Sequence, residues 1–96
     1  MRIHVRTYGE LRKALSDQVT VELNDGSTVK LLASKLRSMM NPVDRYLFRE
    51  DRICGSRVTI LVNGRNLKTL QQLDTELSDS DVVTFIPLVV GGTPAL

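Results

Sequence analysis

Asp81-Val82-Val83-Thr84-Phe85-Ile86-Pro87-Leu88-Val89-Val90 reads as a strand, and it runs directly into Gly91-Gly92. Within it Val83 and Phe85 alternate with Thr84 and Ile86, the period of two expected where one face lies on a core. Ser78-Asp79-Ser80-Asp81 ahead of it is rich in turn-forming residues. A terminal strand feeding two glycines suits delivery of a carboxylate into another protein's active site. Glycine has no side chain to block a narrow channel and takes backbone conformations that other residues avoid. Gly92 is nevertheless followed by Thr93-Pro94-Ala95-Leu96, so its carbonyl is tied up in an amide bond to Thr93. At ordinary glycine usage a given position shows Gly-Gly about 0.5% of the time, so the dipeptide takes its meaning from the rest of the chain.

Upstream, Val58-Thr59-Ile60-Leu61-Val62 is strongly strand-like and ends at Asn63-Gly64, the best short turn signal in the sequence. Leu67, Leu70, Leu73 and Leu77 mark a compact return segment with about one turn of helix. At the other end Ile3, Val5 and Thr7 alternate with Arg2, His4 and Arg6, giving a half-buried strand from Met1 to about Tyr8 that Gly9 ends. A second strand over 19–23 stops at Asn24-Asp25-Gly26. The intervening link holds Leu11 and Leu15 and is either a short helical turn or a wide hairpin loop.

Between these halves Val29, Leu32, Ala33, Leu36 and Met40 recur at helical spacing, with Ser27 or Thr28 available as a cap. Met39 and Met40 read as packing residues at the end of that stripe. Asn41-Pro42 stops the helix, because the residue before proline is pushed out of helical geometry. Residues 43–57 read as a partly helical, exposed connection with a turn at Gly55-Ser56. Its Arg45, Arg49, Arg52 and Arg57 are interleaved with Asp44, Glu50 and Asp51, as on a solvated loop. The expected class is therefore α+β: a mixed sheet of four to five strands near 1–8, 19–23, 58–63 and 82–88, with one main helix near 29–40 across it. The last strand returns beside the first, which is the β-grasp arrangement of ubiquitin. Residues 1–90 form that domain, and 91–96 are a Gly-Gly arm with a four-residue extension.

Composition narrows the function. Ninety-six residues, 42% apolar and 25% charged, suit one domain with one modest core. A net charge of +2 is too mild to point to nucleic acid. No apolar run approaches the ~18 residues of a membrane span. The single Cys54 cannot form an internal disulfide, which fits a reducing, cytoplasmic setting. Neither a nucleophile–base pair nor a metal-ligand cluster stands out, and His4 has no companion ligand at metal-binding spacing. The sequence carries no phosphate-binding loop of its own. These observations argue against an enzyme, a catalytic residue or a bound cofactor.

Several short motifs, in order, carry a resemblance. They are Ile60-Leu61-Val62-Asn63-Gly64-Arg65-Asn66-Leu67, then Leu73-Asp74-Thr75-Glu76-Leu77-Ser78-Asp79-Ser80-Asp81-Val82-Val83, then Phe85-Ile86-Pro87 and Val90-Gly91-Gly92. Together they resemble the small-subunit family of molybdopterin synthase, whose fold is shared by thiamine-pathway sulfur carriers and archaeal small modifier proteins. The resemblance covers almost the whole chain and is strongest over 58–92. It implies a carrier whose terminal Gly92 carboxylate is adenylated by a ubiquitin-activating-type partner using ATP and Mg²⁺. Sulfur then replaces AMP to give a thiocarboxylate. The implied acceptor is the molybdopterin-synthase large subunit or another sulfur acceptor; in a modifier, target lysines take its place. Three departures stand out: Ser80 where the family has glycine, Leu88 where it has a second proline, and residues beyond Gly92 where most members end. The third implies a precursor cut by a protease between Gly92 and Thr93. The alternatives are a lysine-linked modifier using the same Gly92, or a β-grasp binding module whose Gly91-Gly92 is vestigial.

Strand parity also suggests a recognition face. If Ile3, Val5, Val58, Ile60, Val62, Val83 and Phe85 point inward, then Arg6, Tyr8, Leu61, Ile86 and Leu88 point outward. These form a candidate partner-binding patch, apolar with a basic rim.

Overall fold

The computed structural model describes residues 1–42, 45, 58–67, 70 and 72–87. Apart from Arg45, the expected connection over 43–57, with Cys54 and the turn at Gly55-Ser56, lies outside the described residues. So does the segment from Leu88 through Gly91, Gly92 and Thr93 to Leu96.

Strand β1 (Arg2–Thr7) alternates as its sequence requires: Ile3, Val5 and Thr7 are buried and Arg2, His4 and Arg6 exposed. It pairs antiparallel with β2 (Gln18–Glu22), with Arg2 opposite Glu22 and Arg6 opposite Gln18. The link between them is a short helix, α1 (Glu10–Leu15), which settles the choice that the sequence left open. Leu11 anchors it in the core. The Thr7 hydroxyl donates to the Ser16 carbonyl and closes the link.

The main helix, α2 (Val29–Met39), buries Val29, Leu32, Ala33 and Leu36, the predicted stripe. Eleven residues are marginal as an isolated helix, so this face holds it in place. Burying each larger side chain contributes about 1.5–3 kcal/mol. Thr28 is the cap: extended itself, its side chain accepts from the Leu31 N–H at 3.4 Å. Ser27 is instead buried, and its carbonyl accepts from the Leu77 N–H at 2.9 Å. The Val29 N–H donates to the Thr75 carbonyl, so the start of α2 is bound to the return segment. Met40 is buried as expected. Met39 is not: it is 50% exposed, because the i, i+4 row through Leu32, Leu36 and Met40 leaves it on the rim of the face.

Strand β3 (Val58–Val62) buries Val58, Ile60 and Val62. Asn63 and Gly64 then take φ of 51° and 84°, the paired positive angles of a tight hairpin turn. The turn feeds a two-residue strand, β4 (Arg65–Asn66), which is too short to read from sequence. Leu67 and Leu77 are buried in the return segment, Leu70 and Leu73 pack on the core, and a single 3-10 turn covers Gln72–Asp74. Strand β5 (Val82–Pro87) completes a sheet of order β2-β1-β5-β3-β4. It is parallel to β1 and antiparallel to β3, with Val83 and Phe85 fully buried. This is the mixed-sheet β-grasp fold expected from the sequence.

The turn before β5 ties three strands together. The Arg2 N–H donates to Asp79 Oδ1 at 2.7 Å and the Ser80 N–H to the Arg2 carbonyl at 2.8 Å. Asn63 Nδ2 donates to Asp81 Oδ1 at 2.9 Å, and its Oδ1 accepts from the Val82 N–H at 2.8 Å. Asp81 Oδ2 accepts from the Ser78 N–H. Ser80 occupies this turn with φ of 71°, a left-handed conformation that suits glycine and strains serine. The glycine that the resemblance leads one to expect here would take this conformation without strain.

Two outcomes are expected. Ser80→Gly should stabilise the protein by about 0.5–1 kcal/mol, because relief of left-handed strain outweighs glycine's extra chain entropy. Thermal unfolding should show it as a rise of roughly 2–8 °C, and no rise would refute the strain. The hydrogen bond from the Arg2 N–H holds the Asp79 carboxyl below its usual 3.8. The unfolded chain therefore binds its proton first, and the contribution is present above that value and lost as pH falls through the lower folded value. Asp79→Asn should flatten the acid limb of a stability–pH curve below about pH 4.

Candidate functional site

The sheet has one face under α2 and one face free of it. The free face is built by residues that alternate with the core positions. Register sets them in rows: Gln18, Arg6, Thr84, Leu61 and Asn66 lie side by side across the five strands. A second row carries Thr20, His4 and Val82. In a third, Thr59 stands opposite Ile86, and the β1–β5 register brings Tyr8 alongside, its N–H donating to the Phe85 carbonyl at 3.2 Å.

Leu61 and Ile86 are diagonal neighbours, a separation across which side chains of this size reach each other. Both are half-buried, less open than parity alone suggests, because Thr59 and Thr84 flank them. Val82 belongs to the same apolar strip and was not among the expected contact residues, although the alternation that found Ile86 also reaches it. Tyr8 is 42% exposed at the edge of the strip. Arg6 is exposed and has no ion-pair partner among the described residues. The fold thus brings Arg6, Tyr8, Leu61 and Ile86 together. Leu88, Gly91, Gly92 and Thr93, the other expected site residues, lie outside the described residues.

The face has a definite relation to the end of the sheet. Ile86 and Pro87 end β5, and the chain continues from them toward the two glycines. Gly9, with φ of 60°, closes against Pro87: a side-chain carbon there would lie 3.0 Å from Pro87 Cγ. Ile86 therefore lies at the end of the sheet from which the chain leads to Gly91-Gly92, while Val82 lies at the other end of β5. Sequence reading gave Gly9 only as a strand stop; its contact with Pro87 depends on β5 lying beside β1. Among the described residues no group of His, Cys, Asp or Glu is placed to hold a metal ion. Among the described residues the face combines apolar area at Leu61, Val82 and Ile86 with the exposed Arg6 and His4. No described helix is long and apolar enough to cross a membrane.

Comparison with known proteins follows this geometry. The ThiS family matches residues 5–92. A provisionally named sulfur carrier protein of Archaeoglobus fulgidus is 25% identical over 87 residues, which cover 82% of this chain and 99% of that one. The small archaeal modifier protein 1 of Methanosarcina acetivorans superposes with a TM-score of 0.77 at 26% identity, over 95% of this chain and 96% of that one. A provisionally named molybdopterin converting factor subunit 1 of Pyrococcus furiosus gives 0.71 at 26% identity, over 93% and 99%.

The face makes its own prediction. Leu61→Asp and Ile86→Asp should keep the circular dichroism of the fold, since neither side chain is in the core. Each should weaken binding to an activating enzyme about tenfold, the loss expected when about 1.4 kcal/mol of apolar contact is removed. Unchanged affinity in both variants would remove this face as the contact.

Proposed function

The chain belongs to the ThiS family, and we propose that it is a ubiquitin-like sulfur carrier of the molybdopterin-synthase small-subunit type that works through Gly92. The observation that carries this reading is where the family match stops. It ends at residue 92, the second glycine, and Thr93 follows. Members of this family are sulfur carriers or modifiers rather than enzymes, so the reactive chemistry belongs to a partner.

A carboxylate is a poor acyl electrophile because oxide is a poor leaving group. In the proposed sequence a protease first hydrolyses the Gly92–Thr93 amide and frees the Gly92 carboxylate. A ubiquitin-activating-type enzyme holding ATP and Mg²⁺ then joins that carboxylate to the α-phosphorus and releases pyrophosphate. A sulfur nucleophile supplied by the partner system attacks the acyl carbon, AMP leaves, and a C–S bond replaces the C–O bond. The thiocarboxylate passes its sulfur to an acceptor held by the molybdopterin-synthase large subunit, or to another acceptor in the cytoplasm; the C–S bond then breaks by hydrolysis, and water supplies the oxygen that restores the Gly92 carboxylate. The carrier's own residues recognise and deliver: Arg6, Tyr8, Leu61 and Ile86 dock the sheet, the sequence-expected Leu88 would join them, and Gly91-Gly92 thread the channel. No cofactor is bound by the carrier itself.

The likeness to the Methanosarcina acetivorans modifier supports a second reading, in which the same activated Gly92 ends on a lysine amine. The two share every step up to the adenylate and differ only in the final nucleophile. A third reading, a binding module with a vestigial Gly-Gly, predicts no adenylate at all.

The test follows from the geometry of acyl activation. The attacking oxygen must come within about 3–3.5 Å of the phosphorus, and an amide at Gly92 provides no such oxyanion. A chain ending at Gly92 should support ATP–pyrophosphate exchange with its activating enzyme, and the chain carrying Thr93–Leu96 should not. Gly92→Ala in the shortened chain should abolish exchange by steric exclusion. Mass spectrometry should then show oxygen replaced by sulfur, or an isopeptide-linked lysine if the modifier reading holds. Exchange by the uncut chain, or none from the Gly92-ended form, overturns the precursor reading.

A further inference from the structure

The sheet has two edges, and they differ. One is β4, two residues long and unable to template a partner strand. The other is β2, five residues long. Hydrogen bonding to β1 uses alternate residues of β2 and its flanks: the Thr7 N–H donates to the Asp17 carbonyl and the Leu23 N–H to the Met1 carbonyl. That register leaves the N–H and C=O groups of Gln18, Thr20 and Glu22 pointing away from the sheet, without a backbone partner among the described residues. Natural edges are guarded by proline, charged side chains, a bulge or a covering segment, and the one charge on β2, Glu22, is largely offset by Arg2, whose Nε donates to it at 3.4 Å. β2, Gln-Val-Thr-Val-Glu, has neither proline nor lysine, and its register with β1 runs without a bulge.

We propose that β2 is a self-association edge, where a second copy of this chain pairs antiparallel about a two-fold axis at Thr20. In that register Thr20 faces the second copy's Thr20, and each Gln18 faces the other copy's Glu22. All the outward N–H and C=O groups of β2 are then paired. The facing side chains are hydroxyl with hydroxyl and amide with carboxylate, both favourable cross-strand pairs. Other registers are worse. A two-fold at Glu22 sets carboxylate against carboxylate, and a two-fold at Gln18 runs Glu22 past the end of the strand toward Ala14 of α1.

The inner side of the edge agrees. A groove of about 800 Å³ lies between the end of β2 and α2, lined by Glu22, Leu23, Leu31, Ser34 and Lys35 among others. Leu31 is 53% exposed there. In the proposed register the second copy's Val19 and Val21 stand opposite Val21 and Val19 and extend the inner face of the sheet, while its Asp17 comes opposite Leu23 at the mouth of this groove. The outcome is one continuous sheet of both copies. The strip of Leu61 and Ile86 stays open, because β1 separates β5 from this edge.

Sedimentation velocity and amide exchange on the full chain test this. A contact of this small size is expected to be weak, so the dilution series should run from about 10 µM to about 1 mM. The mass should rise toward twice that of the monomer, and exchange at Gln18, Thr20 and Glu22 should slow at least about fivefold with concentration. Thr20→Pro removes an N–H that the fold does not use, and Thr20→Lys sets two ammonium groups at the axis. Both should stay monomeric throughout the series, with the thermal midpoint of dilute wild-type protein. A wild-type monomer at the highest concentration overturns the proposal. So does a dimer that survives both substitutions, or protection of these amides that appears only when a foreign peptide is added.

Discussion

The pairing of β5 between β1 and β3 is the constraint on which the rest depends. It joins the two ends of the described chain, with His4 beside Val82 and Thr7 beside Phe85. A parallel pair cannot be made by a hairpin and needs a long crossover, here everything between residues 7 and 82. The core cannot close until that crossover is complete, since Phe85 and Val83 are at its centre. The turn at Ser78–Asp81 fixes how the strand enters. Asp79 and Ser80 bind the backbone of Arg2, while Asp81 and Val82 bind the side chain of Asn63. Two neighbouring strands are thereby clamped at one point, and the strained Ser80 is held there by those bonds.

That clamp also decides what the outer face presents. A slip of one residue in β5 would send Ile86 into the core and bring Phe85 out. Leu61, Ile86 and Tyr8 make one surface only because the β3–β5 and β1–β5 registers are both fixed. The strand that closes the core is also the strand that leads to Gly91-Gly92.

Much of this was legible in the residues. Period-two alternation in β1, β3 and β5 gave which side chains face the core, and the 3.6-residue stripe gave the buried face of α2 residue for residue, because both patterns record burial directly. Asn63-Gly64 announced its turn through backbone chemistry alone. The family resemblance was also readable, since it depends on residue identity and order. Where local signals were weak the reading stayed open or erred. The helix α1 is too short for its period to show, β4 has two residues, and Met39 is at the boundary of a stripe where a small rotation decides exposure.

By itself, then, the sequence determined the longer elements, their buried faces and the family, because those follow from local periodicity and residue order. The tertiary structure alone decided which strands are neighbours and in what register. From that follow the clamp of Asn63 and Asp81, the contact of Gly9 with Pro87, the half-burial of Leu61 and Ile86, and the open edge at β2. None of these is a property of a segment. Each arises where residues distant in sequence meet, and hydrogen-bond geometry between strands, rather than any pattern along one of them, sets the distance and direction of the meeting.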